Sequence, residues 1–100
     1  MTRSHVYLRA KAGRRKDLLD VLGRLEILAA VRNQPGFLGA ELHVPDDDDD
    51  HVVIWTAWAS REHYERWLAG PVCEDMLREV GDLVAEEPAF RLYHVVDAVQ

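Results

Sequence analysis

The chain is expected to fold as an α+β domain with the order β-α-β-β-α-β, the second helix broken in two. Three observations predict it. Hydrophobic period switches from two to about 3.6 and back along the sequence, the alternation of strand and helix. Gly and Pro punctuate the switches, at Ala12-Gly13, Asn33-Gln34-Pro35-Gly36 and Gly70-Pro71. The stretch from His51 to Trp58, HVVIWTAW, is apolar on both of its alternating sets. The order of elements is that of the ferredoxin-like split βαβ arrangement, an antiparallel sheet with both helices on one face.

Each element has its own warrant. Val6, Leu8 and Ala10 alternate with His5, Tyr7 and Arg9 to make a first strand. From Arg14 to about Arg32, Leu18, Leu22, Leu25 and Ala29 form a helical stripe broadened by Val21 and Leu28. Arg14, Arg15 and Lys16 suit a helix N-terminus badly, because the dipole there prefers acids. A solvated end is expected. Phe37 to Val44 reads as a second strand, with Leu38, Ala40, Leu42 and Val44 on one face and Phe37, Gly39, Glu41 and His43 on the other. Pro45 and Asp46 to Asp50 form a turn, expected to be a solvated loop of mutually repelling charges. In the third strand Val52, Ile54 and Trp58 point one way, and Val53, Trp55 and Ala57 the other. Ser60 is a candidate N-cap with Glu62 in the first turn, and Pro71 suits the first position of the next helix. Val72, Met76, Val80, Leu83 and Val84 carry that helix to Glu86-Glu87-Pro88. Phe90 to Val99 is expected to be a long final strand.

A strand apolar on both sides needs cover on both sides. With the helices on one face, a second copy packing sheet against sheet is the natural cover, and a homodimer closing a barrel-like body is expected.

One hundred residues make a single domain, 1–100. Of the formal charge of −6, the five aspartates supply −5, so the body is near neutral. That argues against a nucleic-acid partner, which would call for a basic stripe. No apolar run approaches the roughly 20 residues that cross a bilayer, so no membrane partner is expected. MTRSHVYLRAKAG has no apolar core of a signal peptide, so the expected address is the cytoplasm. Cys73 is the sole cysteine, with no base beside it in sequence. His51 follows five aspartates, but acids on a loop without fixed geometry bind cations poorly, and no metal site is expected. No phosphate loop or dinucleotide fingerprint is present.

All three tryptophans and Tyr64 fall between His51 and Val80. So many large aromatics make a wall, either plain core or the lining of a pocket. LRAKAG, VRNQPGFLGAELH and WTAWASREHYERWLAGP together resemble the antibiotic biosynthesis monooxygenase family, of the dimeric α+β barrel superfamily, over nearly the whole chain. Of its branches, the one holding the cofactor-free monooxygenase of the actinorhodin pathway is the nearer. That resemblance implies a pocket between sheet and helices in which a phenol, hydroquinone or anthrone-like substrate meets O2 with no cofactor. It implies His43, Trp58, Tyr64 and Arg78 as catalytic positions, with Ile54 where the branch has an asparagine and Trp67 also in the pocket. In such a pocket Trp58 and Tyr64 would supply wall and hydroxyl, Arg78 would stabilise an oxyanion, and His43 would move a proton. Each has a plainer role: a core corner for Trp58, a core cap for Tyr64, a solvated side chain for Arg78. His43, which shares parity with Glu41, is expected on the dimer side if the helices cover the leucines. The haem-degrading branch fits less well. Trp67 matches its tryptophan, but Val6 stands at its asparagine and Leu77 at its iron ligand. A non-catalytic dimer that holds a small aromatic ligand is the rival class.

Overall fold

The computed structural model describes residues 1–99. Strands β1 (Thr2–Arg9), β2 (Phe37–His43), β3 (His51–Trp58) and β4 (Ala89–His94) form one antiparallel sheet in the order β2-β3-β1-β4. Helices α1 (Arg15–Arg24), α2 (Ile27–Arg32), α3 (Arg61–Ala69) and α4 (Pro71–Val80) complete the α+β, ferredoxin-like fold. Among the described residues no helix is long and apolar enough to cross a membrane.

The period-two faces of the central strands set the layers. Thr2, Ser4, Val6 and Leu8 are buried toward the helices, and so are Val52, Ile54, Thr56 and Trp58 on β3. Their neighbours Arg3, His5, Tyr7, Val53 and Trp55 lie half-buried on the open face. The core has two parts. One joins Leu8, Leu18, Leu22, Val52, Met76 and Val80; the other joins Val31, Trp58, Tyr64, Trp67 and Cys73. Leu8, Leu18 and Val52 are fully buried, worth about 1.5–3 kcal/mol each in apolar transfer.

Four expectations need correction. The helix expected from Arg14 to Arg32 is two helices, because Glu26 adopts a left-handed conformation (φ 53°, ψ 45°). The buried positions therefore run Leu18, Leu22, Ile27, Val31, with a step of five across the break, and Ala29 and Leu28 turn outward. A bulge in β2 between Phe37 and Gly39 reverses parity. Phe37 joins Ala40 against the Trp58 cluster, and Leu38 is exposed. The last helix stops at Val80, and Leu83 and Val84 continue in a turn where Val84 bridges Ala10. Strand β4 ends at His94 because it pairs only with β1, which begins at Thr2 opposite it.

Two local arrangements are tighter than expected. The bases opening α1 have partners: Arg14 reaches Asp17 at 2.5 Å, and Arg15 donates to the Asp48 carbonyl at 2.6 Å. In the aspartate turn, Asp48 accepts from the Asp50 and His51 amides at 2.6 and 2.9 Å and faces His51 Nδ1 at 2.5 Å. Those bonds hold its carboxyl at about 2, below the ordinary 3.8. The turn is an ordered Asx arrangement and not a loose acidic loop.

Candidate functional site

The site is built where the two parts of the core meet. The strand register sets Ser4 opposite Thr56 and Val6 opposite Ile54 on the helix side of the sheet. Across from them come α3, bringing Tyr64 and Trp67, and α4, bringing Cys73 and Met76. Helix α3 is fixed at its start by the Ser60 cap, whose hydroxyl accepts from the His63 amide at 3.3 Å. Pro71 opens α4 at a position where its missing N–H is no loss. Helix α2 closes the remaining side with Ile27, Leu28 and Val31.

These walls enclose a cavity in which the space open to the centre of a water molecule is about 20 Å3. That is room for about one water, so a ring can enter only if a wall gives way. Leu28 stands at the mouth, 40% exposed. The lining is apolar apart from a few hydroxyls. Thr56 Oγ1 accepts from Trp58 Nε1 at 2.7 Å. Ser4 Oγ and Tyr64 Oη are buried without a hydrogen-bond partner among the described residues.

Both titratable groups lining the cavity are held neutral. Burial raises the Tyr64 phenol, with the nearby Ser4 hydroxyl opposing it in part. Burial pushes the Cys73 thiol up to about 12. Neither can act as a base near neutral pH.

Of the residues expected in the pocket, Ile54, Tyr64 and Trp67 line the cavity. Trp58, fully buried, stands one layer behind, its ring centre 6.3 Å from that of Tyr64 and 6.4 Å from that of Trp67. Arg78 and His43 are not brought to it. Arg78 lies on the outer side of α4, its side chain 66% exposed and paired with Asp75. His43 lies on the open face of the sheet, 2.7 Å from Glu41. The residue that sequence reasoning missed is Ser4. Its signal was available, since Ser4 shares parity with Val6 and Leu8 and is a polar residue in a buried row.

Comparison with known proteins places this architecture. The sequence profile described as "Antibiotic biosynthesis monooxygenase" matches residues 1–79. The chain belongs to the antibiotic biosynthesis monooxygenase family. A solved structure from Deinococcus radiodurans assigned to this family superposes with a TM-score of 0.86 at 22% identity, covering 100% of this chain and 97% of that one. Rv0793 from Mycobacterium tuberculosis gives a TM-score of 0.85 at 16% identity, with 99% and 98% covered. At these identities the likeness is one of fold.

Two curated relatives degrade haem. The mycobilin-producing heme oxygenase of Mycobacterium tuberculosis is 40% identical over 42 residues, 42% of this chain and 40% of that protein. A heme-degrading monooxygenase of Bacillus thuringiensis is 32% identical over 57 residues, 55% of this chain and 53% of its own length. The chain thus matches about half or less of these relatives. Its cavity does not fit haem. Among the described residues the lining offers no imidazole and its one thiol is held protonated, so it supplies no axial ligand for haem iron.

Proposed function

We propose that this member of the family binds a small phenolic, hydroquinone or anthrone-like molecule in the cavity between sheet and helices and oxidises it with O2, without flavin or metal. The observation that carries the reading is the cavity itself: an apolar space walled by Trp67 and Tyr64, with hydroxyls at one end. For an anthrone the reaction balances without an added reductant. The ring CH2 becomes C=O, taking one atom of O2, and its two hydrogens leave with the other as water. The protein's part is to exclude water, align the ring and orient its oxygen.

A specific observation favours a second reading, a binding protein for the same class of ligand. No lining group is a base at neutral pH, because Tyr64 and Cys73 are both held protonated. Oxidation then depends on a substrate acidic enough to lose its proton without help. Oxygen uptake by chelator-treated protein with a panel of anthrones and hydroquinones separates the two. Uptake above background that falls at least about tenfold in Tyr64→Phe supports oxidation, since positioned hydroxyls contribute about that much or more. Ligand-dependent stabilisation with no uptake from any compound supports binding alone.

The same proposal includes a homodimer formed through the open face. Val53, Trp55 and Tyr7 are half-buried there, and Tyr93 is 43% exposed. Arg3 lies 5.9 Å from the Trp55 ring centre and Arg91 lies 5.7 Å from that of Tyr93, with Glu41 on the neighbouring strand. A face carrying aromatics and both charge signs is suited to a two-fold copy of itself. Sedimentation at micromolar concentration should give a dimer, and Trp55→Glu should shift it to monomer. A wild-type monomer under those conditions would remove this part of the proposal.

A further inference from the structure

We infer that Ser4 and Tyr64 form a two-hydroxyl seat for one uncharged oxygen of an aromatic ligand, a phenol hydroxyl or a ketone, and that Ser4 is the residue that sets this preference. The inference rests on the cavity being the ligand site; because the seat takes a neutral oxygen it accords with the binding reading, and a substrate that is oxidised must lose its proton after it is seated.

Ser4 is 0% exposed and Tyr64 3%. Among the described residues neither hydroxyl meets the geometry of a hydrogen bond, although buried hydroxyls nearly always find one, and the two lie near enough for the Ser4 hydroxyl to oppose the rise of the Tyr64 phenol. The third hydroxyl at this end, Thr56, lies opposite Ser4 in the strand register and is already engaged by Trp58 Nε1. Two free hydroxyls therefore share one cavity, and the walls around them are mostly apolar. Each can donate one hydrogen bond and accept others. Together they match an oxygen that both donates and accepts, as a phenol does, or one that accepts twice, as a ketone does. An apolar remainder suits the ring that carries it.

The seat rejects charge. The groups that face it from each packed element are few. Strand β1 contributes Ser4 and Val6, and β3 contributes Ile54 and Thr56. Helix α2 presents only Ile27, Leu28 and Val31. The titratable groups are Tyr64 from α3 and Cys73 from α4, both raised by burial. No cation stands among these described residues, and Arg78 is held by Asp75 on the outer side of α4. A phenolate would enter without compensation, which is strongly disfavoured. The ligand is therefore bound in its protonated form.

The test uses full-length protein with 4-nitrophenol, whose hydroxyl titrates near neutrality, and nitrobenzene, which lacks it. Binding is read by thermal shift and by the shift of the Trp67 indole N–H resonance, a ring that lines the cavity. Wild type should bind 4-nitrophenol about tenfold more tightly than nitrobenzene, the scale of one buried hydrogen bond. That advantage should disappear as the pH rises through the titration of 4-nitrophenol, while nitrobenzene binding stays constant. Ser4→Ala should bind both probes equally, with an unliganded Tm at or above that of wild type. A merely structural serine would lower that Tm. Tyr64→Phe should weaken 4-nitrophenol selectively in the same way. Should Ser4→Ala keep the preference, or the phenolate bind as well as the phenol, the seat is overturned while a shifted Trp67 indole resonance still supports the cavity. If neither probe moves that resonance, the cavity reading fails and the inference with it.

Discussion

Trp58→Ala is expected to lower stability by about 3–5 kcal/mol, the range for truncating a large aromatic in a core. In a domain of this size about 1 kcal/mol moves Tm by about 4–8 °C, so the melting point should fall by more than about 12 °C. The physical reason is position. Trp58 is 0% exposed and touches rings on three sides, Phe37 at 6.1 Å, Tyr64 at 6.3 Å and Trp67 at 6.4 Å between centres. Its removal leaves a hole that two helices and a strand cannot all close, and it unpairs the Thr56 hydroxyl. Because Tyr64 and Trp67 lean on it, ligand-dependent stabilisation should fall as well. Trp58→Phe, which keeps a ring but not the indole N–H, should lie between wild type and alanine in a urea melt. A Tm change under about 4 °C for the alanine variant would show that the surrounding rings repack freely.

Gly36→Ala is the second large effect, and its causes can be separated. Gly36 has φ +77°, a conformation that costs a residue with a Cβ about 1–2 kcal/mol. A Cβ there would also lie 2.2 Å from Cγ of His63, so the imidazole must leave its place. That ring is held by Ser60, 2.7 Å from its Nδ1, and Ser60 is the cap of α3. Losing the bond between the Ser60 hydroxyl and the imidazole adds about 1 kcal/mol, while the cap bond to the His63 amide can stay. The sum is about 2–3 kcal/mol by chemical denaturation. Gly36→Ala combined with His63→Ala should recover the steric part and leave the backbone part, a coupling that a double-mutant cycle measures. If Gly36→Ala alone melts within about 2 °C of wild type, the close approach of loop and helix is not a real constraint.

Much of this architecture was legible in the chain. The two faces of β3, the Ser60 cap and Pro71 at the start of α4 follow from local pattern, because each depends on residues adjacent in sequence. The break at Glu26 was not legible. No Gly or Pro marks it, and a left-handed glutamate is a tertiary outcome: it lets Ile27 and Val31 reach the core once α1 has docked. The bulge at Leu38 was hidden for the same reason, since one extra residue reverses parity without altering composition. The site divides along the same line. Tyr64, Trp67 and Ile54 follow from apolar parity and helical phase. Arg78 and His43 came by resemblance alone, and the helix face of one and the strand parity of the other turn them away from the cavity. Ser4 belongs to no motif, and what sets it apart, a buried hydroxyl beside Tyr64 and an apolar wall, comes from residues distant in sequence.

The strand order has a kinetic consequence. Only β2 and β3 are joined by a short turn. Strand β1, at the centre, takes all its partners from far along the chain, with Thr2 opposite both Trp58 and His94. Closing such distant pairs carries its entropy cost before any contact repays it, which slows folding. Ser4 and Thr56 meet across one of these late-closing ladders. The cavity therefore does not exist in any locally folded fragment. It comes into being only once β1 has closed on β3 and the helices have docked, so a probe of the cavity in refolding chains would time a late step of assembly rather than the first.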